Sequence, residues 1–364
     1  MSAPVSAGRR LDDTVDERLA AATLACLPEM TFQRLRALLE HHTTFVAALH
    51  TVLAGRADAA LERTPRSGDA QQRRDLAARW RDAAAPHVVA RQLARRGTRV
   101  WLEGDDDYPI LDDVPDRPPV LFVEGSRPEV MRAPRVAIVG TRAATPHGLA
   151  DARELGSELA SAGITVVSGL AIGIDGAAHE GALSAAGGAV GVIATGLDIV
   201  YPRRHASLTE RVRAAGVVIT EQAFGMRPRQ HLFPVRNRII AALADVVVVV
   251  EATIGGGARI TAQHALEYGR TVMAVPGSRR NASAAGTNAL IADGAHPLVD
   301  WGDVLVALGC SPATRRTTVP APPRPAPSPD AAAVLAALGG ECATPDQLAS
   351  RSGLPVSRVA VAIA

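Results

Sequence analysis

The sequence contains no lysine: all 39 of its Lys and Arg positions are arginine. That absence removes whole classes of chemistry. A Walker A phosphate loop requires its lysine, so the standard P-loop ATPases and GTPases are excluded. Schiff-base chemistry on a lysine amine is excluded too, and with it the pyridoxal-phosphate enzymes and lysine aldolases. Arginine throughout, beside many Ala, Gly and Pro residues, fits GC-rich coding. Cysteine is scarce: Cys26, Cys310 and Cys342 stand far apart, with no CxxC and no nearby His pair. They read as reduced thiols of a cytoplasmic chain. Long apolar runs are missing as well. The valine run at 246–250 is far too short to span a membrane. The stretch MSAPVSAGRRLDDTVDE at the start has no apolar centre and does not read as a signal peptide. Neither GxSxG nor HExxH occurs, and His41-His42 have no third ligand at a suitable spacing. No nucleophile, metal or cofactor is therefore expected.

What remains is a globular composition, 47% apolar and 21% charged over 364 residues, enough for two or three domains. A net charge of +2 is too mild to imply a nucleic-acid partner by itself. Residues 1–98 read as an N-terminal helical domain of the SAM or helix-hairpin-helix kind, with apolar residues at three- and four-residue spacings from 16 to 60 and a second helical stretch to about 96. Short strands follow at 99–102 and 120–123, joined by a proline-bearing connector. From 135 the texture changes. RVAIVG, ITVVSG, AVGVIATG, GVVIT, DVVVVVEA and TVMAVPG are near-continuous Val/Ile strands. Ala-rich helical segments at 147–162, 175–187, 206–215, 235–244 and 258–269 alternate with them. This pattern predicts an α/β fold, a doubly wound Rossmann-like parallel sheet, over 99–310. HPLVDWGDVLVALG could add an edge strand and a closing helix. Residues 311–329 form a Pro-rich linker. Residues 330–364 read as helix, turn, helix, turn and the start of a third helix, a partial, truncated winged-helix-like module.

In such sheets ligands bind outside the carboxyl ends of the strands, and every informative motif falls there. Gly140-Thr141-Arg142 follows the first strand of the series, where a helix N-terminus offers free N–H groups and Arg142 a fork for phosphate. The alternative is a tight turn with a surface arginine. Ser168-Gly169 through Gly173 to Asp175 closes the next strand. Its spacing is G-x3-G-x2-G, not the dinucleotide GxGxxG, and Asp175 is expected to cap the following helix. Asp198 and His205 read as a turn residue and a solvated histidine. Three glycines at 255–257 precede another helix and make an anion-friendly nest, and 276–280 and 286–288 line the same rim. The strongest cluster lies at 203–238, where eight arginines, among them Arg203, Arg204, Arg236 and Arg238, face only Glu210 and Glu221. With Asn237 and the ring of Phe233, this stretch suits single-stranded nucleic acid: arginines for phosphates, a ring for a base. The alternative is that Arg236 and Arg238 are solvated or salt-bridged at a helix start and Phe233 is core.

VAIVGTR, SGLAIGIDGAAHEGAL, GLDIVYPRRH, FPVRNRIIAAL, GRTVMAVPG and GTNALIADGA occur in that order. Together they resemble the DNA-processing protein A (DprA/Smf) family over roughly 100–300. The resemblance implies a non-enzymatic, homodimeric protein that binds single-stranded DNA, protects incoming DNA during natural transformation and loads a RecA-type recombinase. By the same resemblance, Gly140, Thr141 and Arg142 contact DNA together with Arg203, Arg204 and the 233–238 segment. Phe233 stacks on a base, Arg236 and Arg238 hold phosphates beside Asn237, and Ser168, Gly169 and Gly173 shape the pocket floor. Two departures stand out. Residues 251–259 replace the family's usual Ser-Gly-Ser-Leu type of turn, and Leu27-Pro28-Glu29-Met30-Thr31 lacks the glycines of a helix-hairpin-helix turn. The competing reading is a phosphoribohydrolase-type enzyme on the same architecture. Such an enzyme is expected to carry Pro-Gly-Gly-x-Gly-Thr-x-x-Glu, whereas this chain has Pro276-Gly277-Ser278-Arg279-Arg280.

Overall fold

A computed structural model describes residues 15–62, 64, 68–106, 108–110, 113–310, 328–338 and 343–363. The chain divides into two compact units, 1–314 and 315–364.

In the first unit the Val/Ile runs form one sheet. Its strands are β1 (Arg99–Leu102), β2 (Val120–Glu124), β3 (Arg135–Val139), β4 (Thr165–Ser168), β5 (Ala189–Val192), β6 (Val217–Thr220), β7 (Val246–Val249), β8 (Thr271–Ala274) and β9 (His296–Pro297). Their order is β1-β2-β6-β5-β4-β3-β7-β8-β9. β3 to β9 pair in parallel, while β2 runs antiparallel to both β1 and β6. The two early strands are thus the antiparallel edge of the main sheet. β9 and the helix at Gly302–Ala307 supply the edge strand and closing helix expected at the other end.

β3 lies near the middle and is the first strand of the parallel series. The chain winds outward from it through β4, β5 and β6, then returns to β7 on its other side. Strands between two helical layers see no water, which is why 246–249 is four buried valines without polar alternation. The connecting helices are α7 (Pro146–Ser161), α8 (Ile174–Ser184), α9 (Ala206–Ala215), α10 (Leu232–Leu243), α11 (Gly257–Glu267) and α12 (Ala285–Ala292). α10 begins three residues before the helical segment read at 235, which puts Phe233 and Pro234 in its first turn. Proline is tolerated there because those N–H groups have no intrahelical partner.

The N-terminal segment forms α1 (Glu17–Ala25), α2 (Phe32–His41), α3 (Phe45–Leu53), α4 (Asp58–Leu61), α5 (Ala70–Ala83) and α6 (Pro86–Arg96). Their apolar faces bury Leu24, Leu38, Leu49, Leu61 and Trp80. This cluster is continuous with Val100, Leu102, Val120 and Phe122 of the sheet, so these helices share a core with the strands.

The second unit has α14 (Pro329–Leu338), α15 (Pro345–Ser352) and α16 (Val356–Ile363), following α13 (Gly302–Ala307) of the first. They close around Val334, Leu348 and Val359. Thr344 and Gln347 form a capping box at the start of α15, and Gly353 ends that helix with φ at 71°. Residues 311–327 of the Pro-rich stretch, and Cys342, lie outside the described residues.

A cleft at the carboxyl ends of the strands

The reversal of strand order around β3 leaves a crevice at its carboxyl end. There the structure has a cleft of about 560 Å³, lined by Gly140 to Arg142 after β3, Ala171 and Asp175 after β4, Tyr201 after β5, Phe233, Pro234, Arg236 and Asn237 of α10, and Gly256 and Gly257 after β7. A smaller recess of about 30 Å³ opens beside it, bounded by Gly169, Thr195, Tyr201, Phe233 and Arg236.

The cleft's floor is held by its own backbone. Gly173 has φ at 85°, and a Cβ there would lie 2.4 Å from the Thr141 carbonyl oxygen. The loops after β3 and β4 therefore touch where only glycine fits. Gly173→Ala is expected to destabilise the chain by about 1–3 kcal/mol, and a denaturant midpoint equal to that of wild type would disprove the contact. Ser168 is fully buried and donates to the Ile138 carbonyl at 2.6 Å. Gly169 donates to Asp175 Oδ2 at 3.1 Å, and its carbonyl accepts from Arg236 at 2.7 Å.

Two carboxylates that look available in the sequence are engaged. Asp175 does not cap α8, whose N-cap is Gly173 with no side-chain bond. It lies inside the helix and reaches back to the Gly169 and Ala171 amides. Burial pushes its carboxyl above the ordinary range, opposed by Arg236 and those amides. Glu251 accepts from Thr145 N at 2.9 Å and Thr145 Oγ1 at 2.6 Å, while its carbonyl accepts from Thr141 N at 2.8 Å. The expectation of free N–H groups at the N-terminus of α7 is met only in part: Pro146 has no N–H, Thr145 Oγ1 accepts from Gly148 N, and Glu251 supplies a carboxylate beside them, where the helix dipole favours one. The N-terminus of α11, at Gly256, has no side-chain cap.

The 233–238 segment splits. Phe233 is half-buried at the cleft, with the Arg142 guanidinium carbon 4.7 Å from its ring centroid and the Tyr201 ring 5.5 Å away at 48°. Asn237 lines the cleft and donates to the Gly257 carbonyl at 3.2 Å. Arg236 is 4% exposed and donates from Nη1 to the Gly169 and Val192 carbonyls. Burial lowers its guanidinium to about 10, still protonated at neutral pH, with Asp175 as the compensating charge.

Arg238 points elsewhere. It is 6% exposed, pairs with Glu221, donates to the Asp116 carbonyl at 2.8 Å and lies 4.9 Å over the Phe32 ring of α2. The salt-bridged alternative therefore describes Arg238, and its assignment to phosphate is corrected. Its donors are spent on Asp116, between β1 and β2, and Glu221, just after β6, while its face covers Phe32 of α2. Arg203 and Arg204 are exposed in a 3-10 turn just past Tyr201, and Arg227 and Arg229 are exposed in the loop before α10. Asp198 braces a turn as expected, accepting from Gly225 N, whereas His205 is half-buried with Nδ1 3.0 Å from the Leu170 carbonyl.

Sequence reading passed over Tyr201 and the pinning role of Glu251. Both lie in segments that leave the carboxyl end of a strand, Glu251 two residues after β7 and Tyr201 nine after β5, so the rule that located the other residues applies to them as well. Among the described residues no group of three or more His, Cys, Asp or Glu side chains is placed to hold a metal. No described helix is long and apolar enough to cross a membrane.

Comparison with known proteins now settles the family. The model of DNA recombination-mediator protein A matches residues 99–309. The chain belongs to this family. The winged-helix domain of DprA matches 318–364, the part that holds α14 to α16. Protein Smf of Synechocystis is 41% identical over 231 residues, 62% of this chain and 58% of that protein. DNA processing protein DprA of Streptococcus pneumoniae is 39% identical over 202 residues, 55% of this chain and 71% of that one. The chain thus spans under two thirds of the Synechocystis relative's length. The crystal structure of the S. pneumoniae protein superposes with a TM-score of 0.66 at 30% identity, covering 79% of this chain and 95% of that one. A Helicobacter pylori DprA structure, described as showing a unique single-stranded DNA binding mode, gives 0.52 at 27% identity, covering 58% and 95%.

Proposed function

We propose that this family member binds single-stranded DNA in the cleft, protects incoming strands during natural transformation and hands them to a RecA-type recombinase, acting in the cytoplasm as a homodimer without catalysing a reaction. One observation carries the reading: Phe233 and Arg142 meet at the cleft mouth, with exposed arginines on the loops to either side. A single strand offers what this mouth takes, phosphates for guanidinium groups and unpaired bases for a ring. The non-enzymatic part is supported by Asp175 and Glu251, whose carboxylates hold backbone amides in place. The H. pylori relative's described binding mode points the same way.

Gel-shift titration with single- and double-stranded oligonucleotides tests this. Preference for the single strand is expected, and equal affinity for the duplex would refute the reading. Phe233→Ala is expected to cost about 1–3 kcal/mol in single-strand binding, with thermal unfolding as the control. A variant that unfolds would place Phe233 in the core.

A further inference from the structure

Tyr201 is 43% exposed and lines both the cleft and the recess beside it. Phe233, by contrast, is half-buried, with Arg142 over its face and Tyr201 at its flank. At 5.5 Å between centroids and 48° between planes, the two rings are too close to admit a base between them. They are also too tilted to share one coplanar stack. Each can offer only its outer face.

The loop that presents Tyr201 is braced from below. The Leu197 carbonyl accepts from Arg96 at 2.9 Å and from Arg213 at 2.8 Å. Both guanidinium groups also pair with the buried carboxylate of Glu124. Asp198 accepts from Gly225 N at 2.8 Å, and Thr195 Oγ1 donates to the Ile199 carbonyl at 2.8 Å. A large aromatic ring on a loop held by these four hydrogen bonds, yet itself exposed, is preorganised to contact something outside the chain. Two exposed guanidinium groups, Arg203 and Arg204, follow within three residues.

We propose that Tyr201 is a second base-stacking platform, so that the cleft holds two successive nucleotides, one on Phe233 and one on Tyr201. The tilt between the rings splays the two bases and turns the strand toward Arg203 and Arg204. The inference rests on the single-strand reading above, and its test separates the two.

Fluorescence anisotropy would compare an oligo-dT with an abasic oligonucleotide of equal length, using the full chain. Wild type should favour oligo-dT. Tyr201→Ala should weaken oligo-dT binding roughly 5- to 100-fold, the loss of one stacked base, and leave binding to the abasic strand unchanged. Tyr201→Phe keeps the ring and should retain wild-type affinity for both. If Tyr201→Ala binds oligo-dT as wild type does, or loses both oligonucleotides equally, the second platform is refuted while the single-strand reading stands. If wild type binds neither, both fall.

Discussion

Replacing Arg236 with methionine is expected to destabilise the chain by about 3–5 kcal/mol, the cost of removing a buried guanidinium that hydrogen-bonds two strand-end carbonyls and offsets the nearby Asp175 carboxyl. Chemical denaturation followed by circular dichroism would measure it. The guanidinium is 4% exposed and donates to the Gly169 and Val192 carbonyls at the ends of β4 and β5. Methionine fills much of the same volume but supplies no donor and no charge. Two strand-end carbonyls lose their partner, and the Asp175 carboxylate stays buried with only the Gly169 and Ala171 amides to offset it. Adding Asp175→Asn should therefore recover part of the loss, because the stranded charge is gone. A lone Arg236→Met that unfolds at the wild-type midpoint would mean that this guanidinium is solvated, and would return it to the candidates for direct phosphate contact.

The sheet was legible because its signal is local. A short, near-continuous Val/Ile run means much the same in any doubly wound protein, and β3 to β8 all fall within such runs. The cleft followed from the rule that ligands gather where those runs end. The roles of individual arginines were not legible, because they depend on partners far along the chain. Arg238 bonds to Asp116, 122 positions away, and lies over Phe32 of α2. No reading of charge density between 203 and 238 contains either partner. Helix geometry, however, does carry a warning. Residues two apart on a helix point about 200° from each other around its axis. Once 232–243 is helical, Arg236 and Arg238 cannot both face one cleft. Asp175 was misplaced for a smaller reason: α8 starts at Ile174 with Gly173 at the cap, so the aspartate falls two residues too late to cap it.

Counterion release separates the two versions of the basic site. Each phosphate neutralised on a single strand contributes a slope of about −0.7 in the logarithm of affinity against that of salt. Arg142, Arg203, Arg204, Arg227 and Arg229 are exposed on the loops around the cleft. If these five meet phosphates, the slope is about −3.5, and raising salt from about 50 to about 200 mM weakens binding about 100-fold. If Arg236 and Arg238 also neutralised phosphates, the slope would approach about −5 and the loss about 1,000-fold. The buried placement of both predicts the smaller number, measured on oligo-dT by anisotropy. Arg204→Ser should make the slope shallower by about 0.7 without changing stability. Arg238→Met, by contrast, should leave the slope unchanged and lower the unfolding midpoint, because that side chain joins α10 to Glu221, Asp116 and the N-terminal helices. A flat response to salt would remove the phosphate backbone from the site altogether.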